Sequence, residues 1–210
     1  MRTQAVRRLL LVALVLTIAV PHLSSQGSGS SAADPRVGLR AGWRDAGQAA
    51  WNLRLLSTSE RTTDFFNPSD PGDFNYMNSD LAFRGQYVIQ GNFRGFQVWD
   101  VTDPAHPTLT HVHLCPSMQS DVSVFRNLLF VSGESLNGRV DCGVQGIQDT
   151  VSADRLRGIR IYDISDVTHP RSVANVQTCR GSHTHTVVTD PRDTGAVFVY
   201  VSGQAPVRSP

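Results

Sequence analysis

The chain has 210 residues, 40% of them hydrophobic and 18% charged, with a net charge of +1, which suits an ordinary globular domain. A charge this close to zero excludes a global electrostatic attraction to nucleic acid or to an anionic membrane. Every basic residue is Arg, and Glu60 and Glu134 are the only Glu; a chain punctuated by Asp, Gly and Pro but poor in Lys and Glu favours turns and strands over helices.

In chain order, Arg2, Arg7 and Arg8 precede an apolar run from Leu9 to Val20 broken only by Thr17. The run is short for a membrane span and fits the hydrophobic core of a secretory signal. Residues 1–25 are therefore read as a signal peptide, and the mature chain as a secreted, periplasmic or cell-surface protein without a transmembrane span. Residues 26–77 read as a linker and N-terminal extension. Gln26 to Ala33 is a Gly/Ser tract, Asp45 to Trp51 suits a short helical turn, and 53–56 is a candidate closing strand. Thr62 to Asn75, with Asn67-Pro68, Asp70-Pro71 and Gly72-Asp73, is a loop.

From Asn78 onward the pattern is all β. Strand, tight turn and strand succeed one another at Leu81–Phe83 and Tyr87–Ile89, then Phe96–Val101 and Thr108–Leu114 follow around a turn at Asp103–Pro107. The cycle restarts at Asp121–Phe125 and Leu129–Gly133, continues at Ile159–Ile164 and Ser172–Gln177, and opens a third time at Thr186–Val188 and Val197–Gly203. One phrase marks the register. Gly95-Phe96-Gln97-Val98-Trp99-Asp100-Val101-Thr102-Asp103 returns as Gly158-Ile159-Arg160-Ile161-Tyr162-Asp163-Ile164-Ser165-Asp166, and each copy runs on to a His-Pro pair. Gly91 and Gly133 stand 42 residues apart, close to the length of a four-stranded propeller blade. The expected fold is an all-β propeller of four-stranded antiparallel blades. Blade one is 78–114, blade two 119–178 with an insert at 134–157, and the first half of blade three 183–203. Two and a half blades do not close a ring, so the chain is expected to be the N-terminal part of a longer protein.

The phrase Gly-x-x-Val/Ile-Trp/Tyr-Asp-Val/Ile-Ser/Thr-Asp-x-x-x-Pro, followed by Ser-Asp-Val-type strands, resembles the LVIVD-repeat family of bacterial secreted propellers. Ser182-His183-Thr184-His185-Thr186 and Arg139-Val140-Asp141-Cys142-Gly143 resemble segments of its larger members. The likeness covers about 78–210. It implies a propeller and a secreted or cell-surface setting, and it implies no reaction.

Strand alternation then sorts the loops. The insert 134–157 and the connections carrying Cys115, Asp121, Cys179, His183 and His185 should share one face. His183 and His185, with Asp121 and Asp80 at corresponding points of the other blades, are the candidate ligands for a transition metal ion at the channel mouth, since imidazoles and carboxylates suit such an ion. The alternative is that the carboxylates bond loop amides and the histidines line a wet channel. Cys115 and Cys142 are expected to form a disulfide, and Cys179, at the position matching Cys115, is left without a partner in this chain; three independent thiols are the alternative. Asp100/Asp103 and Asp163/Asp166 read as turn formers rather than a calcium site. The leading function is a binding module that meets a protein, glycan or surface ligand through the insert-bearing face. The second is a metal-dependent enzyme built on the His/Asp residues at the channel mouth.

Overall fold

The computed structural model describes residues 34–42 and 45–207; the expected signal peptide 1–25 and the tract 26–33 lie outside the described residues. The chain divides into two compact units, 1–54 and 55–210. Among the described residues of the first, a turn closes through the Val37 amide on the Asp34 carbonyl (3.0 Å), and the Gly47 amide meets the Arg40 carbonyl (2.7 Å). The helical turn expected over 45–51 does not form: Trp51 is 80% exposed, so no apolar contact stabilises so short a helix. No strand is assigned at 53–56, where a closing strand is expected, and no described strand pairs with that stretch.

The second unit is all β apart from single 3-10 turns at Thr63–Phe65 and Phe74–Tyr76. Among the described residues no helix is long and apolar enough to cross a membrane. Ten strands follow: β1 (Asn78–Arg84), β2 (Tyr87–Asn92), β3 (Gly95–Asp100), β4 (Thr108–Leu114), β5 (Val122–Phe125), β6 (Leu128–Gly133), β7 (Gly158–Asp163), β8 (Arg171–Gln177), β9 (Thr184–Thr189) and β10 (Val197–Ser202). They form three antiparallel sheets, ordered β1-β2-β3-β4, β5-β6-β7-β8 and β9-β10. The first strands of the sheets lie side by side, β1 against β5 and β5 against β9. The sheets do not close on one another.

The repeated phrase occupies β3 and β7 with matching register. In both copies the pairing to the next strand slips by one residue at the same point, between Val98 and Trp99 and between Ile161 and Tyr162. Its Asp residues organise the following turn. Asp100 Oδ1 accepts from the Thr102 amide and hydroxyl (2.8 and 2.6 Å), and Asp163 Oδ1 does the same for Ser165 (2.8 and 2.7 Å). Asp103 and Asp166 then hold His106 Nδ1 and His169 Nδ1 at 2.8 and 3.0 Å. These are local side-chain-to-backbone turns that stand in for ladder bonds where the strand ends.

The hydrophobic core lies between the first two sheets. Ile89, Phe96 and Val98 from the first meet Val122, Leu129, Val131 and Tyr162 from the second. The Phe96 and Tyr162 rings sit edge to face, with centroids 5.3 Å apart. Each such buried side chain contributes roughly 1.5–3 kcal/mol relative to exposure, so Phe96 from one copy of the phrase and Tyr162 from a different position of the other help hold the two sheets together. By contrast Phe198 and Tyr200 on β10 and Phe83 on β1 remain more than half exposed.

The phrase begins with glycine for a steric reason. Gly95 and Gly158 have φ of +139° and +145°, and a Cβ there would fall 1.9 and 2.0 Å from the carbonyl oxygens of His113 and Val176 on the neighbouring strand. A side chain would thus meet both an unfavourable backbone conformation and a backbone atom. Gly158→Ala is expected to lower stability by roughly 2–4 kcal/mol, whereas Gly72→Ala, whose Cβ would make only an ordinary 3.8 Å contact with Asp70 Oδ1, should change it by less than about 0.5 kcal/mol. Denaturant titration of the two variants checks this; equal midpoints would refute the steric account.

Candidate functional site

Because the strands alternate, the β2–β3, β4–β5, β6–β7 and β8–β9 connections emerge at one end of the sheets, and hydrogen bonds join them there. The Glu134 and Ser135 amides both donate to the Ser117 carbonyl (3.0 and 2.9 Å), tying the start of the insert to the β4–β5 connection, and the Ser182 amide donates to the Gly133 carbonyl (3.0 Å). The insert itself is a folded loop. Arg139 and Arg155 form an antiparallel bridge, Arg139 pairs with Asp141 at 2.7 Å, Arg155 Nε donates to the Leu136 carbonyl at 2.8 Å, and Ile147 and Leu156 are buried.

The expected disulfide is present. Cys115 and Cys142 are joined, with Cα atoms 4.3 Å apart and a sequence separation of 27. It fastens the insert to the end of β4; closing a loop of this length contributes about 3 kcal/mol in the chain-entropy picture. Cys179 is a free, exposed thiol. Phe96 stacks on His113, whose Nε2 lies 3.1 Å from the Tyr162 hydroxyl. His113, Cys115 and Cys142 are the one described set of three His, Cys, Asp or Glu residues whose ligand atoms all lie within 4.8 Å of one another. With both sulfurs in the disulfide, the set offers no thiolate to an ion.

Beside the disulfide the insert and the β4–β5 connection enclose a cleft of about 430 Å³. It is lined by Tyr76, Phe93 and Arg94, by Ser117 and Met118 of the β4–β5 connection, and by Asn137, Val144, Gln145 and Gln148 of the insert. Arg94 is fixed over the Tyr76 ring at 4.8 Å and donates to the Asp64 carbonyl at 3.0 Å. The connection bordering the cleft is unusual: Met118, Gln119 and Ser120 all have positive φ, between 51° and 54°, a left-handed run that non-glycine residues rarely adopt. It fits only because Gly91 has no side chain, since a Cβ there would come within 2.1 Å of the Ser120 carbonyl oxygen.

The four residues predicted for the channel mouth fall into two linked groups. His185 is buried. Its amide donates to Asp121 Oδ2 at 2.7 Å, and its Nδ1 lies 2.9 Å from Ser132 Oγ and 3.3 Å from the same Asp121 oxygen. Ser132 Oγ in turn meets Ser182 Oγ at 2.8 Å. Asp80 sits next to Asp121; burial is the first cause raising both carboxyls above their ordinary value, and for Asp80 the neighbouring Asp121 charge adds to it. His183 turns the other way, to Glu134 Oε2 at 2.7 Å, and Gln204 closes that group through its amide on Glu134 Oε1 at 3.2 Å. Asp121 thus bonds the His185 amide at the start of β9, and no three of Asp80, Asp121, His183 and His185 are drawn to within 4.8 Å as ion ligands. His185 Nε2 is buried with no hydrogen-bond partner.

Of the partners in these groups, the sequence points to Ser182, within Ser182-His183-Thr184-His185-Thr186, and to Glu134 only through its rarity, but not to Ser132 or Gln204. Ser132 carried no such signal. His113 was passed over although His111 and His113 stand two apart in a strand, the same spacing as His183 and His185.

Compared with known proteins, the chain matches no family model and no curated protein.

Burial pushes the pKa of both His113 and His185 down to about 4, below the ordinary value of about 6.5. The unfolded chain therefore takes up protons at higher pH than the folded one. The stability these neutral rings carry is complete above about pH 6.5 and is lost as the pH falls toward 4. The raised Asp80 and Asp121 act in the opposite sense, so the comparison must be between variants. His113→Phe, which keeps a ring against Phe96, should shallow the loss of stability between pH 7 and 5 in denaturant titrations; an unchanged slope would contradict the assignment.

Proposed function

We propose that this chain belongs to an exported β-propeller of the LVIVD-repeat kind and acts as a binding module through the face that carries the insert 134–157. Support for the propeller comes from two four-stranded sheets with the same bulge at the same repeat position, from first strands lying side by side, and from apolar side chains left open on β1 and β10, where further blades would pack. In that arrangement β1, β5 and β9 line the central channel.

The observation that carries the binding reading is the cleft beside the disulfide. It combines a fixed cation, an aromatic lining and a row of amide side chains on a loop fastened covalently to the scaffold. Convergent polar groups against aromatic surface are the features of a recognition site, and an anchored loop loses less conformational freedom on binding. Its breadth and amide-rich lining fit a glycan or a polar peptide segment better than a small apolar molecule. The metal-dependent enzyme reading has one feature in its favour, the unpartnered Nε2 of His185; it has no assembled ligand set.

Screening the chain against a glycan and peptide array, then titrating any ligand found by calorimetry, tests the proposal. Arg94→Glu should weaken binding at least tenfold, while Arg192→Glu in the β9–β10 turn, at the opposite end of the strands, should leave it within twofold. Ligands that bind the Arg94→Glu chain as tightly as the original would place the site elsewhere, and an array without ligands would remove the binding reading.

A further inference from the structure

The disulfide is flanked asymmetrically. Arg160, on β7, is 2% exposed. Its Nε donates to Cys115 Sγ at 2.9 Å and its Nη2 to the Arg139 carbonyl at 2.7 Å, while Nη1 is buried with no partner. No carboxylate is among these partners. A buried cation without a counter-charge is costly, and the sulfur of a disulfide is only a weak, neutral acceptor. Cys142 is placed differently. It is half-buried where Cys115 is 3% exposed, it sits on the insert at φ +60°, and the polar contacts of its sulfur are long, 3.9 Å to His113 Nε2 and 4.0 Å to the Tyr162 hydroxyl.

We propose that the Cys115–Cys142 disulfide is a thiol-exchange site for small thiols, with Cys142 the attacked sulfur and Cys115 the leaving group. A thiolate attacks Cys142 Sγ, forming a mixed disulfide as the Cys115–Cys142 bond breaks. The departing electron pair stays on Cys115 Sγ as a thiolate, which gives the Arg160 guanidinium the counter-charge it lacks. A second small thiolate then attacks the sulfur of the first, releasing a small-molecule disulfide and the Cys142 thiolate, which takes a proton from water. Net, two thiols are oxidised and one protein disulfide is reduced. A cation beside one sulfur lowers that thiol's pKa, and a better leaving thiolate both speeds exchange and makes the disulfide easier to reduce.

The repeat supplies the test variant. Gln97 fills the position of Arg160 in the first copy of the phrase and is equally buried, so Arg160→Gln puts the sister residue in place of the cation. In a Cys179→Ser background, the chain is equilibrated with reduced and oxidised glutathione, quenched, alkylated and read by mass. Arg160→Gln should need about ten times the ratio of squared reduced to oxidised glutathione to reach half-reduction, about 30 mV. Peptide mapping of the mixed disulfide trapped in the unaltered Arg160 chain should find glutathione on Cys142. An equal midpoint, glutathione on Cys115, or a disulfide that resists glutathione unless the chain is denatured would each overturn the proposal. The mapping stands even where Arg160→Gln fails to fold.

Discussion

The structure depends on how closely β3 approaches β4, and β7 approaches β8, at the first residue of each copy of the repeated phrase. A carbonyl of the outer strand occupies the space where the side chain of Gly95 or Gly158 would be. With that contact in place the one-residue slip falls at the same point in both copies, Val98/Trp99 and Ile161/Tyr162. Register in a sheet is unforgiving, because a shift by one residue exchanges the two faces. Phe96 of the first copy and Tyr162 of the second meet edge to face in the core.

The same register sends the chemically distinctive residues to one end of the sheets. Disulfide, insert, left-handed connection and both His-centred groups occur in connections that alternation places together. The left-handed run Met118–Gln119–Ser120 is a concentration of backbone strain, held by packing on Gly91 and by the disulfide next to it. Strain of this kind persists where the surroundings over-determine the chain, and it is commonest around binding sites. The cleft at this point is thus lined by a rigid connection and a covalently tethered loop, while the sheets that carry it contribute mainly their spacing.

Identical phrase positions do not have identical environments. Gln97 and Arg160 correspond in the repeat and are both fully buried, yet only the second faces a disulfide. The second copy has an insert after β6 and a cysteine in it, and these turn a neutral buried position into one where a guanidinium meets sulfur. In a repeat protein each copy shares the backbone while neighbouring loops decide the chemistry.

Strand order, the turn chemistry of Asp100/Asp103 and Asp163/Asp166, the bounds of the insert and the pairing of Cys115 with Cys142 were legible in the sequence. All follow from short-range patterns and from counting strand alternations, which are properties of the chain itself. The expected helical turn at 45–51 is not formed, because local propensity does not hold so short a helix without a surface to pack on. The divergence of His183 toward Glu134 and His185 toward Ser132 was beyond the sequence, since two residues at strand spacing face the same way only while both are inside the strand, and β9 starts at Thr184. The Arg160–Cys115 contact and the cleft lining of Arg94 and Tyr76 likewise join residues far apart in sequence. Only tertiary packing decides which buried polar groups find partners, because the residues that complete them come from other strands.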